Sequence, residues 1–204
     1  MERAQGLLDR LATVLSEENL QARAALRVAK AQVHLAEGKA TDARAAAEEA
    51  FSLYGDIGWR HVIFKHALVE ALEAGFAVGD APGVESLLHE VERLRPVELT
   101  PYLQAQIARF AARLGAFRAS EADVEASFKA AEGTFRHLGV PFWLAVTLLE
   151  HGERLSADGR GVEARPLFDE ARETFERLEA RQWLERLART AGPQAETLAV
   201  EPAV

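Results

Sequence analysis

The residues best suited to chemistry in this 204-residue chain are six histidines, two pairs of glutamates and a short stripe of arginines. Histidine can ligate a metal or carry a proton near neutral pH. His34, His61, His66, His89, His137 and His151 are scattered, and the nearest two, His61 and His66, stand five apart and so on different faces of a helix. No His-Glu-x-x-His pattern occurs, and the histidines read as surface or packing residues, not as ligands. Glu70 with Glu73, and Glu150 with Glu153, stand three apart, which sets two carboxylates side by side on a helix. Such pairs can do acid–base work. In a chain this rich in charge they read as a solvated face. No serine sits between the glycines of a nucleophile elbow, and no GxxxxGK[ST] phosphate loop is present. The chain is therefore expected to be no enzyme, with no catalytic, cofactor-binding or metal-binding residues.

The arginine stripe is Arg109, Arg113 and Phe117 at i, i+4 and i+8, with Gln106 beside it. Two guanidinium groups on one helix face can grip a partner's carboxylate. The other reading is that they are solvated or paired within the fold. Trp143 and Trp183 stand 40 apart, each just after a turn, and read as packing more than as ligand platforms.

Composition limits the partners. There are 24 Lys and Arg against 32 Asp and Glu, a net charge of −8, which repels phosphate backbones and makes nucleic acid a poor partner. Cysteine is absent, which excludes disulfides and thiolate metal sites and is compatible with a reducing cytoplasm. The start, Met-Glu-Arg-Ala, lacks the basic-then-apolar build of a signal peptide. The longest apolar stretch, Val62 to Val78, is broken by Lys65, His66, Glu70 and Glu73, so no membrane span is expected. These features together predict a cytoplasmic location.

Alanine, leucine, arginine and glutamate dominate, which favours helix almost throughout. The 3.6-residue periodicity predicts helices over Glu2–Leu15, Asn19–Glu37, Asp42–Tyr54, Trp59–Val78, Pro82–Leu94, Pro101–Phe117, Ala122–Leu138, a long helix opening at Pro141, another after Gly161, and Arg181–Thr190. Ser16 and Thr41 are expected caps. Glycines at 38, 55, 58, 79 and 139 are expected stops. Leu7, Leu8, Leu11 and Leu15 form the stripe of the first helix. Residues 1–191 read as a single repeat domain and 192–204 as a flexible tail.

The helices repeat. Turns near 38, 79, 119 and 159 are separated by 41, 40 and 40 residues. Five residues after each turn come Ala43, Val84, Val124 and Ala164. Nine after come Ala47, Leu88, Phe128 and Phe168, and twelve after come Ala50, Val91, Ala131 and Ala171. Five and twelve differ by seven, two helical turns, so these residues form one buried seam. A hairpin hides only one face, so such units must stack on their neighbours. Gly152 and Ala171 suit close helix contacts, and Phe168 suits the space between hairpins.

Gly152, Gly159, Ala164, Phe168 and Ala171, together with Gly79, Leu88 and Pro96 and with Ala112, Phe128 and Ala131, resemble the tetratricopeptide repeat (TPR). The period is about six residues longer than that family's usual ~34, which predicts longer linkages between helices. The stretch from Pro141 to Leu187 further resembles the C-terminal arrays of bacterial adenylate-cyclase-like and AAA-type ATPase (STAND-like) signalling regulators. The resemblance implies an all-α, TPR-like α-α superhelix of about four hairpins with extra end helices. It implies a regulatory or sensory module of a bacterial signalling or transcription-regulating system, binding a protein or peptide partner, the family's own nucleotide-binding domain among them. Positions that in the family line the concave groove are His66, Val69, Glu73 and Phe76, then Gln106, Arg109 and Arg113, then Val146, Leu149, Glu153 and Ser156. Two alternatives stay open: self-association as a homodimer through the first helix, and a small-molecule receptor using the groove.

Overall fold

Good helix formers fill nearly every interior position, and turns fall where the backbone needs a left-handed residue. In the computed structural model residues 2–14, 19–53, 61–118 and 123–195 are described, and among them every regular element is an α-helix. In order these are α1 (Glu2–Val14), α2 (Leu20–Ala36), α3 (Ala40–Ser52), α4 (Val62–Ala77), α5 (Ala81–Glu92), α6 (Pro101–Phe117), α7 (Val124–Leu138), α8 (Pro141–Ala157), α9 (Gly161–Arg177) and α10 (Arg181–Ala195). No helix among them is long and apolar enough to cross a membrane. The expected cap at Ser16, the stops at 55 and 58, the start at Trp59 and the turn at 119 lie outside the described residues.

The chain divides into two compact units, Met1–Thr100 and Pro101–Val204. In the first, each helix packs on its neighbour in sequence, and α2 also packs on α4. In the second, α6 to α10 pack likewise in order, and α6 and α10 each also touch α8. Each unit thus holds two hairpins and one end helix, with the first helices of successive hairpins side by side.

All twelve seam residues are buried, from Ala43, Ala47 and Ala50 through to Ala164, Phe168 and Ala171. The close contacts recur as well. A Cβ on Gly75 would stand 2.7 Å from Val84 Cγ2, and one on Gly115 would stand 2.7 Å from Val124 Cγ2, the same distance one period later. Gly152 is tighter still, with Phe168 Cε1 2.5 Å from the position of its absent Cβ. Trp143 and Trp183 are half-buried against the core of the second unit, where Trp183 stacks on Phe175 at 5.8 Å.

Three turns close identically. Gly38, Gly79 and Gly159 adopt φ of +74°, +76° and +77°, which only glycine holds without strain. The next residue then donates its N–H back to the helix, Lys39 to His34 O at 2.8 Å, Asp80 to Gly75 O at 2.9 Å and Arg160 to Leu155 O at 2.8 Å. This closure corrects the cap expected at Thr41. Lys39 becomes the residue before the helix, α3 begins at Ala40, and Thr41 lies inside it. It also corrects the expectation of longer linkages. From Pro141 to Ala180 the 40 positions are filled by two 17-residue helices and two three-residue turns, so the extra length is helical. The final helix runs on to Ala195, past the expected end at Thr190. Thr190 is tied to α8 by its hydroxyl, which donates to Glu153 Oε1 at 3.3 Å, so the helix is still anchored there.

Candidate functional site

The residues marked for partner contact lie on the first helices of hairpins: His66, Val69, Glu73 and Phe76 on α4, Gln106, Arg109 and Arg113 on α6, and Leu149 and Glu153 on α8. In the second unit α6 and α8 pack together, and their meeting face is polar. Arg109 is wholly buried. Its Nε donates to Glu150 Oε2 at 2.7 Å and its Nη2 to Glu150 Oε1 at 2.7 Å, a two-pronged charge-assisted pair. Its Nη1 donates to Gln106 Oε1 at 3.3 Å, and Gln106 Nε2 donates to Tyr102 Oη at 3.1 Å. The guanidinium carbon lies 4.6 Å from the Phe110 ring centre and 5.1 Å from that of Trp143. A buried charge is tolerated only when its hydrogen bonds are met, and here they are.

The network continues outward. Arg113 Nη1 reaches Glu150 Oε1 at 3.3 Å, and Arg186 Nη1 on α10 reaches the same oxygen at 3.9 Å. Arg186 chiefly forks onto Glu153, with Nε to Oε1 at 2.9 Å and Nη2 to Oε2 at 2.6 Å. Gln106, Arg109, Arg113 and Glu153 are therefore joined through Glu150 into one ionic strip across α6, α8 and α10. Only Arg113, Glu153 and Arg186 among its charged members keep partial exposure.

This places the expected carboxylate grip inside the chain: the carboxylate that Arg109 holds is Glu150. Gln106, Arg109, Val146 and Leu149 are buried, as is Val69 in the first unit, while Ser156 is half-buried. The solvated face expected for the glutamate pairs is corrected as well, since Glu70 and Glu150 are buried and Glu73 and Glu153 half-buried. Burial of Glu70 is compensated by Gln32 on α2, whose Nε2 donates to its Oε1 at 2.9 Å. His66 is half-buried, and burial, with Lys65 adding, lowers its pKa and favours the neutral imidazole. Phe76 and Glu73 share that intermediate exposure.

Arg186 and Thr190 were missed at the sequence level, and Glu70 and Glu150, singled out there, were read as solvated although both are buried. One signal for two of them was present: Glu70 and Glu150 each stand nine residues before a turn glycine, Gly79 and Gly159. In both units a carboxylate at that register is held from the preceding first helix. Among the described residues no group of three His, Cys, Asp or Glu is placed to hold a metal. Compared with models of known protein families and with curated proteins, the chain matches none.

Proposed function

We propose that this chain is a TPR-like helical-repeat module that binds a protein or peptide partner through the half-exposed face of its first helices, as a regulatory element of a bacterial signalling system. One observation carries the reading: contacts between successive hairpins recur at the 40-residue register. The buried seam is one instance, and a charge-swapped ion pair is another. Arg44, six residues after the turn glycine at 38, pairs with Asp80, one residue after the next, at 2.5 Å. Glu125 and Arg160 occupy the same two registers in the second unit and pair at 2.8 Å with the signs reversed. Stacked hairpins of this kind present a row of equivalent side chains to one ligand. Taken each by itself, the first unit offers His66, Glu73 and Phe76 and the second offers Arg113 and Glu153, the half-exposed members of the marked set. A nucleotide-binding domain of the same regulatory system is one partner of the right kind.

The test is site-specific photocrosslinking in the native cell, with the reactive residue at Phe76, Arg113 or Glu153 and controls at the exposed second-helix positions Glu163 and Glu173. The proposal expects one discrete adduct from the first-helix sites and none from the controls. Adducts from the controls alone, or from no site, overturn it.

A second reading, self-association, is favoured by α1. Its Leu7 and Leu11 are each 50% exposed and Val14 80%, while Leu8 is buried.

A further inference from the structure

The ionic strip of the second unit has one firm joint and one weak one. Between α6 and α8 it runs through Arg109 and Glu150, whose side chains are 0% and 3% exposed. Between α8 and α10 it runs through Arg186 and Glu153, whose side chains are 32% and 25% exposed. Water screens an exposed ion pair and competes for its hydrogen bonds, so breaking it costs far less than breaking a buried one. Apolar packing does not make up the difference. Over residues 181–190 of α10 Leu187 alone is buried, whereas α8, 40 residues earlier, buries every residue from Ala145 to Glu150. Trp183 is half-buried, stacked on Phe175 and edge-on to Phe142 at 5.8 Å.

The turn into α10 is strained as well. Glu179 holds a φ of +53°, in the left-handed region. The same place between α7 and α8, 40 residues earlier, is taken by Gly139 at +65°. The two turns close alike: Val140 N–H donates to Phe135 O at 3.1 Å, and Ala180 N–H to Phe175 O at 2.9 Å. A Cβ crowds the backbone in that conformation, so the α9–α10 turn carries a cost that glycine avoids. That cost is relieved when α10 leaves its seat and the turn opens. We propose that α10 is a displaceable strap: seated, it holds Glu153 against Arg186; swung out about Glu179, it frees that carboxylate for a cationic group of the partner. This role rests on reading Glu153 as a partner contact, and it makes α10 and the partner competitors for one side chain. A weak joint on the strap and strain in its hinge both lower the free energy of opening, while the buried joint keeps α6 and α8 together.

The test is amide hydrogen exchange on the full chain, joined to photocrosslinking with the reactive residue at Arg113. Amides from Leu184 to Arg189 are expected to exchange at one common rate, about tenfold or more faster than those of α8, while α8 and α9 stay protected. Glu179→Gly is expected to slow exchange in α10 alone by about fivefold, as relief of the strain does. Arg186→Gln is expected to speed it by up to about fivefold, the range of an exposed pair. The adduct yield at Arg113 is expected to rise in Arg186→Gln and to fall in Glu179→Gly. Exchange in α10 as slow as in α8, or unmoved by Glu179→Gly, overturns the proposal. So does a gradient that leaves the first turn of α10 as protected as α8, which is fraying from the far end. Altered exchange with an unchanged adduct yield overturns the competition for Glu153. Absence of adducts from every site of the parental chain strikes the partner reading instead, and exchange then decides the strap by itself.

Discussion

The buried pair Arg109–Glu150 makes the sharpest prediction. Replacing Arg109 with Met keeps most of the side-chain volume but removes the cation. Glu150, with 3% of its side chain exposed, is then left to Arg113 at 3.3 Å and Arg186 at 3.9 Å. Breaking one side of a buried pair costs ~3–5 kcal/mol. Two guanidiniums remain nearby, which places the expected loss at the lower end, about 3 kcal/mol. Glu150→Leu takes from the wholly buried Arg109 both of its charge-assisted bonds to the carboxylate, and its loss is expected at the upper end, about 5 kcal/mol. The double variant Arg109→Met, Glu150→Leu removes both charges at once. Apolar replacement of a whole buried pair is often close to neutral, and the new debts are Gln106 Oε1 without its donor, about 1–2 kcal/mol, and the loss of the carboxylate that the partly exposed Arg113 reaches at 3.3 Å. The double variant should therefore be more stable than either single. The assay is urea unfolding followed by tryptophan fluorescence in a Trp59→Phe background. The remaining signals then come from Trp143, whose ring lies 5.1 Å from the guanidinium, and from Trp183 in the same unit. If the losses simply add, the two residues are not coupled and the ionic strip is not what joins α6 to α8.

Two glycines on neighbouring helices should respond in opposite directions. Gly152→Ala drives a methyl to 2.5 Å from the buried Phe168 ring, with an expected loss of ~1–3 kcal/mol from overpacking. Gly133 is exposed within α7 and has nothing within 4 Å of an added Cβ, so Gly133→Ala should gain ~0.5–1 kcal/mol; both are read from thermal unfolding. Hydrogen bonds from Arg160 and then Lys129 hold the Glu125 carboxyl down to about 2, from its ordinary 4.5. Its contribution is thus present above 4.5 and lost as pH falls through 2, and Glu125→Gln should flatten that part of an acid-unfolding curve. Leu11→Glu on α1 should abolish any concentration-dependent dimer in light scattering, and a monomeric parent chain at high concentration rules out self-association through that face.

Glycine turns and the seam were legible because each is a local demand repeated at a fixed interval. A left-handed backbone asks for Gly38, Gly79 and Gly159, and a close helix contact asks for Ala131 or Ala171. Helix starts were less legible. Lys39 and Arg160 begin α3 and α9 with no side-chain cap, so nothing in their chemistry marks them, and Thr41 carried the stronger local signal while lying inside the helix. The period of 40 was visible, but its division into helix and link was not, because that depends on these unmarked starts. Glu150 and Glu153 look alike from sequence, three apart on one helix. What separates them is Arg109, 41 residues earlier, and a partner at that distance leaves no local trace.

The same long-range pairing changes what the arginine stripe means. Spacing alone put Arg109 and Arg113 on one helix face, and chemistry alone said that the face grips a carboxylate. Both hold, but the carboxylate belongs to the next first helix. A side chain spent on joining hairpins has nothing left for a partner, whereas Arg113 and Glu153 at the edge of the strip keep some access to solvent. The strip therefore sets the position of two first helices from within, and any partner that reads these edge residues also senses that positioning. Weakening Arg109–Glu150 should then alter partner affinity although neither residue can touch the partner.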